Sequence, residues 1–189
     1  MHVYRWNDER HKIDSTPYVV FPTEPVTNDA KLFDISFNQV LDEVRQNFKF
    51  TELFIWSDGG RKHFKQRYAM KYILKLQRER GCKIVWNFFA SHHGHGVCDA
   101  DAQHVKKAVL RLQKHHHVIF KTGRQLMRAA QEVGDTLARL VHPPTAKKID
   151  ARKLDQISLY HKFSFDSATG TVSGYDVSSD TQPTKTWQL

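Results

Sequence analysis

The chain reads as an α/β fold, and three observations carry that reading. Two short apolar runs, Phe54-Ile-Trp56 and Ile84-Val-Trp-Asn-Phe-Phe89, each lead to a carboxylate: Asp58 at once, and Asp99 through a loop rich in Gly and His. Between them, Lys62 to Arg80 reads as one basic helix. A strand–helix–strand unit of this kind delivers acids to the edge of a sheet, where α/β proteins collect their functional groups.

The remaining elements follow in order. His2 to Trp6 alternates as a strand does, and Asn7 to Arg10 is a polar turn. Tyr18 to Phe21 is β-branched and aromatic, hence a second strand closed by Pro22 and Pro25. Asn28 or Asp29 is placed to cap a helix running to about Asn47, because Phe33, Phe37, Val40, Leu41 and Val44 recur at three and four. A strand is expected over 50–56, then a helix over 61–80 stopped by Gly81, then a nearly continuous apolar strand over 84–89. A helix is expected over 101–113, and His115 to Phe120 as a short strand or turn. Thr122 is placed to cap a helix reaching Leu140, with Leu126, Met127, Ala130, Val133, Leu137 and Leu140 on one face. His142-Pro-Pro-Thr145 marks a break, which divides the chain into a core over 1–141 and an extension over 142–189. That extension holds a hairpin turning at Gly170 and a loose, Ser/Thr-rich tail over 178–189.

Composition bounds the function. With 40% hydrophobic residues and 12% aromatic residues, the chain can build a core and is not disordered as a whole. Two cysteines, Cys82 and Cys98, are too few for a secreted disulfide framework. The start lacks the apolar core of a signal peptide, and no apolar run reaches membrane-spanning length. The expected setting is therefore soluble and intracellular, with no membrane partner. Lys plus Arg number 29 against 20 Asp plus Glu, a net charge of +9, which suits a polyanion such as nucleic acid and leans toward the nucleus.

Asp58, Asp99 and Asp101 are the candidate catalytic acids. Asp58 precedes Gly59 and Gly60, which allow backbone or ligand to approach closely; the same residues also spell a common turn. Asp99 and Asp101 stand near a helix start, where an acid also serves as a cap or a partner for the helix dipole. Carboxylates from neighbouring strands repel unless a cation neutralises them, and Mg²⁺ prefers such oxygen ligands. His92, His93, His95 and Cys98 lack the second ligand pair of a standard zinc site. Lys62, Lys65, Arg67 and Lys71 follow Asp58, while Lys106, Lys107 and Arg111 follow Asp99. These cations would neutralise phosphates if the acids face a polynucleotide, and otherwise form a solvated helix face.

Together, Trp56-Ser-Asp-Gly-Gly-Arg-Lys-His-Phe-Lys-Gln-Arg-Tyr68 and Trp86-Asn-Phe-Phe-Ala-Ser-His-His-Gly-His-Gly-Val-Cys-Asp-Ala-Asp101, followed by Val105-Lys-Lys107, resemble the core of eukaryotic DDE-type transposases. That family shows Ser-Asp-Gly, Phe-Lys-Asn-Arg, Trp-Asn-Phe-Phe-Ala, Ser-His-Gly-Lys-Gly, Cys-Asp-Gly and Val-Lys-Arg. The resemblance covers 54–110 strongly, and 21–41 and the Tyr160-His-Lys-Phe163 region more weakly. It implies a ribonuclease-H-like mixed sheet flanked by helices, with an acid triad holding two Mg²⁺ or Mn²⁺ ions. Asp58 matches the second acid and Asp99 the third, with Asp101 the alternative; Asp58 and Asp99 would be the metal ligands. Lys62, Lys65, Arg67, Lys71, His95, Lys106 and Lys107 would contact DNA, although His95 stands where the family has Lys.

The family's first acid belongs on a strand that, by the resemblance, this sequence is expected to begin after, and Asp8 and Asp14 are poor substitutes. The expectation is a transposase-derived, nuclear DNA-binding domain that binds metal weakly and has little or no independent cleavage or strand transfer. Self-association stays open. The alternatives are a non-catalytic protein-interaction module and a metal-dependent nuclease completed by another acid.

Overall fold

The computed structural model describes residues 1–24, 30–58, 64–89, 96–132, 137–142 and 150–189, without the side chains of 30, 31 and 116. Its elements run β1 (His2–Asn7), β2 (Lys12–Pro22), α1 (Ala30–Asn47), β3 (Glu52–Ser57), α2 (Arg67–Arg80), β4 (Lys83–Phe88), α3 (Val97–His116), α4 (Gly123–Gln131), β5 (Leu137–Val141), β6 (Lys162–Asp166), β7 (Thr171–Tyr175) and β8 (Lys185–Gln188). The fold is α/β, with two mixed sheets flanked by helices. The chain divides into two compact units: Met1–Val26 with His95–Pro143, and Thr27–Gly94 with Pro144–Leu189.

The first unit is built on the order β1-β2-β5. β1 and β2 form an antiparallel hairpin that pairs Tyr4 with Ser15 and Trp6 with Ile13. Buried Asn7 closes its turn, donating to Asp14 Oδ2 at 2.6 Å and accepting from the Arg10 amide at 3.1 Å. The Asn7 bond first, and then Arg10 and Arg5, hold the Asp14 carboxyl below its ordinary value. β5 pairs with β2 in parallel, Tyr18 opposite Leu137 through Pro22 opposite Val141. Val19 and Phe21 of β2 pack with Val105 and Val109 of α3, Met127 and Ala130 of α4, and Ala138 of β5.

Two expectations change in this unit. Thr122 does cap α4, accepting from the Gln125 amide at 3.3 Å while the Gln125 side chain accepts from the Thr122 amide. The helix stops at Gln131, however, and Leu137 and Leu140 lie on β5. Their spacing continues the helical stripe of Leu126 and Ala130 by coincidence, while pairing with the distant β2 decides the conformation. Likewise His115 and His116 end α3, and 117–120 form no strand.

Gly123 opens α4 where only a hydrogen fits, since a Cβ there would meet the Pro22 carbonyl oxygen at 1.8 Å. Gly123→Ala is expected to destabilise this unit by about 1–3 kcal/mol through forced backbone shifts. Urea denaturation followed by circular dichroism measures it, and a neutral result would mean that α4 does not sit against the end of β2.

The second unit holds the sheet β3-β4-β6-β7-β8. β3 and β4 are adjacent and parallel with α2 between them, as the sequence predicts, and Glu52 pairs with Lys83 through Ser57 with Phe88. The other pairs are antiparallel. α2 starts at Arg67, with Gln66 extended before it; of the six positions expected to precede this point, 61–63 lie outside the described residues. Gly81 stops it with φ 61°. Gln77 then ties the layers together: its Oε1 accepts from the Ile84 amide at 2.9 Å and its Nε2 donates to the Phe165 carbonyl at 2.6 Å.

The core lies between that sheet and α1 and α2. Leu53 and Ile55 of β3, with Ile84, Trp86 and Phe88 of β4, share the face on which Phe33, Phe37, Leu41, Ile73 and Leu76 pack. Tail residues 178–189 end in a strand rather than a loose end. β8 pairs with β7, and buried Trp187 lies over Gly174, where a Cβ would come within 2.8 Å of the indole.

Candidate nucleic-acid interface

The predicted acids take three separate settings. Asp58 follows β3 and is exposed, and its backbone carbonyl accepts a 3.2 Å bond from Ser57 Oγ. α3 begins four residues earlier than its sequence suggests, so Asp99 lies inside its first turn. There its Oδ2 accepts from the Gly96 amide at 3.1 Å, satisfying one of the donors that a helix start leaves without a partner. Asp101 turns toward β1, with its Oδ2 at 2.8 Å from Nδ1 of His2, whose side chain is only 8% exposed.

The two acids of α3 therefore point to different tasks within their unit, one capping and one tying helix to strand. They do not form a shared cradle for a cation. Among the described residues, no group of three His, Cys, Asp or Glu side chains gathers as a metal site. Asp99 and Asp101 are each engaged inside the first unit, and Asp58 belongs to the second. His95 and Lys62, the remaining loop candidates, lie outside the described residues, as do His92 and His93.

The cations of α2 and of the turn before it are mostly engaged within the second unit. Lys65 is buried, its Nζ 3.5 Å from the Ser158 carbonyl and 5.0 Å from the centre of the Phe88 ring. Sequence alone placed it on a helix face toward phosphate; the non-helical turn over 64–66 carries it inward instead. Arg67 lies over the Tyr68 ring and donates to its hydroxyl at 2.7 Å. Arg78 donates to the Ser167 carbonyl, and Arg80 pairs with Asp42. Lys71 is half-buried.

α3 and α4 differ. Lys106, Lys107, Arg111, Lys114, Lys121, Arg124 and Arg128 are all exposed, and residues 102–131 contain no Asp or Glu. Lys107, Arg111 and Lys114 are spaced by four and three, so they form one stripe on α3. Arg124 and Arg128 form another on α4, which packs beside α3. No acid pairs with any of the seven among the described residues. The sequence reading singled out Lys106, Lys107 and Arg111; the signal for the other four was the acid-free run itself, which motif spacing does not register.

No helix among the described residues is long and apolar enough to cross a membrane. The family model described as a domain of unknown function (DUF8701) matches residues 1–164. No curated protein matches, and no solved structure does.

Proposed function

The chain belongs to the DUF8701 family, and from its own residues we propose that it is a transposase-derived, nuclear DNA-binding protein whose interface is the α3–α4 surface. The observation that carries this reading is the set of seven exposed cations on a stretch without a single acid. Such a surface neutralises phosphates without selecting a sequence. The parallel β3–β4 pair with α2 between them is in keeping with the ribonuclease-H-like core that the resemblance implies. The expectation of little or no independent cleavage draws support from Asp99 and Asp101, each of which makes a contact within the first unit, with Gly96 and with His2.

Binding of the full chain to a fluorescent duplex of random sequence, read by anisotropy across a salt series, tests the proposal. Four phosphate contacts would give a slope of about −3.6, hence a roughly hundredfold loss of affinity between about 50 and 200 mM salt. In the same samples with Mg²⁺ or Mn²⁺, no nicking above an Asp58→Asn control is expected. Absence of binding at low salt would favour a protein-interaction module. Metal-dependent nicking lost in the control would instead favour a nuclease.

A further inference from the structure

The hairpin of the first unit presents a second feature that charge does not explain. Tyr4 and Trp6 of β1 and Ile13 of β2 are 56%, 57% and 64% exposed. The register puts all three on one face, with His2, Pro17, Val19 and Phe21. On that face the helices cover one end only: α3 and α4 pack on Val19 and Phe21, and Asp101 of α3 reaches His2. Beyond His2 the face continues bare. His2 stacks on Tyr4 with ring centres 4.7 Å apart, so a row of rings leads outward from the edge of α3.

Aliphatic side chains would dominate a face meant for a packed core or a helix partner. Here the bare end carries Tyr and Trp, whose flat faces stack on bases of any sequence. Tyr4 and Trp6 are two residues apart on an extended strand, hence about 6.8 Å apart along it. That is roughly twice the 3.4 Å rise of stacked bases, leaving a slot one base thick. The hairpin itself carries balanced charge, since Arg5 and Arg10 pair with Asp14 and exposed Lys12 stands against exposed Asp8 and Glu9. The positive charge that suits a polyanion lies on the helices. The seven cations of α3–α4 belong to the same unit.

We infer that the Tyr4–Trp6 face is a stacking platform for unpaired bases, so that this unit takes single-stranded nucleic acid in preference to duplex. The inference rests on the reading of α3–α4 as the phosphate-contacting surface and names the strand state of its ligand. Phosphates of the strand lie on α3–α4, and one or two bases enter beside Tyr4 and Trp6. Regular duplex holds its bases stacked inside and offers none to these rings.

Anisotropy titrations of fluorescein-labelled oligo-dT and of a random-sequence duplex of equal length test this directly. The parent, Tyr4→Ala/Trp6→Ala and Trp6→Phe would be compared, each checked for folding by circular dichroism. The double variant is expected to lose roughly ten- to hundredfold in oligo-dT affinity, with duplex affinity and salt slope unchanged. Trp6→Phe, which keeps a ring, should retain most of the oligo-dT binding. Salt-sensitive binding that is indifferent to Tyr4 and Trp6 overturns this inference alone, as does equal loss on both ligands. A parent that binds neither ligand overturns the α3–α4 reading with it. Self-association abolished by Tyr4→Ala/Trp6→Ala, with oligo-dT binding intact, would assign the face to a second copy of the chain and also overturn the inference.

Discussion

Trp86→Ala is expected to destabilise the second unit by about 3–5 kcal/mol, the cost of emptying a large aromatic site that cannot collapse. Trp86 is fully buried. Its indole stacks on Phe33 at 5.1 Å and on Phe88 at 5.0 Å, and meets the edge of Phe64 at 6.1 Å. Those rings come from α1, β4 and the turn before α2, so one side chain joins three segments that are distant in sequence. Its Nε1 also donates to Ser57 Oγ at 2.9 Å, and Ser57 Oγ donates onward to the Asp58 carbonyl. Truncation thus removes the aromatic contact and the anchor of the β3 terminus together. Chemical denaturation read by far-UV circular dichroism gives the loss. Trp86→Phe separates the two parts, since it keeps most of the packing and removes only the indole donor. A loss below about 1 kcal/mol in Trp86→Ala would mean that the cluster is loosely packed, against the contacts seen.

The same residue shows how much of the fold was legible in the sequence. Trp86 sits in a run so continuously apolar that a buried strand was the natural reading, and Gly81 announced the end of the helix before it. The β3–α2–β4 unit was readable because its cues are local: a one-sided helix, a left-handed stop and two short apolar runs. β5 was not, because Leu137 and Leu140 are equally good on a helix, and only the parallel pairing with β2, over a hundred residues earlier, chooses the strand. β8 escaped for the opposite reason. Its apolar content is essentially one residue, Trp187, and the clue was a glycine on another strand, Gly174, kept bare to receive it.

At the site, residue type was readable but direction was not. Asp99 and Asp101 were noticed as acids beside a helix start, and the capping alternative was visible at once. Which task each performs depends on where α3 begins, and helix starts are among the least certain features of a sequence. A start at Val97 makes Asp99 a first-turn residue and rotates Asp101 toward His2. Lys65 illustrates the same limit: a shift of the helix start to Arg67 placed it in a turn and sent a cation inward, over the Phe88 ring.

Lys107→Ala/Arg111→Ala/Lys114→Ala is expected to weaken duplex binding on every sequence alike and to flatten its salt dependence. Each phosphate contact contributes about 0.9 to the slope of log affinity against log salt, so removing three lowers it by about 2.7. The difference between parent and variant should then widen by roughly fortyfold as salt falls from about 200 to about 50 mM. These three side chains are exposed and are paired with no acid among the described residues, so their loss should leave folding nearly unchanged. A purely structural role would instead shift the denaturation midpoint and leave the slope alone. Lys71→Ala supplies the rival result, because it lies on α2, the helix that the sequence favoured as the phosphate-facing element. If Lys71→Ala flattens the salt dependence while the α3 variant does not, the interface lies on the second unit and the acid-free surface is only a solvated face. If the α3 variant alone flattens it, the phosphates are met by Lys107, Arg111 and Lys114, which belong to the first unit, whereas Asp58 belongs to the second.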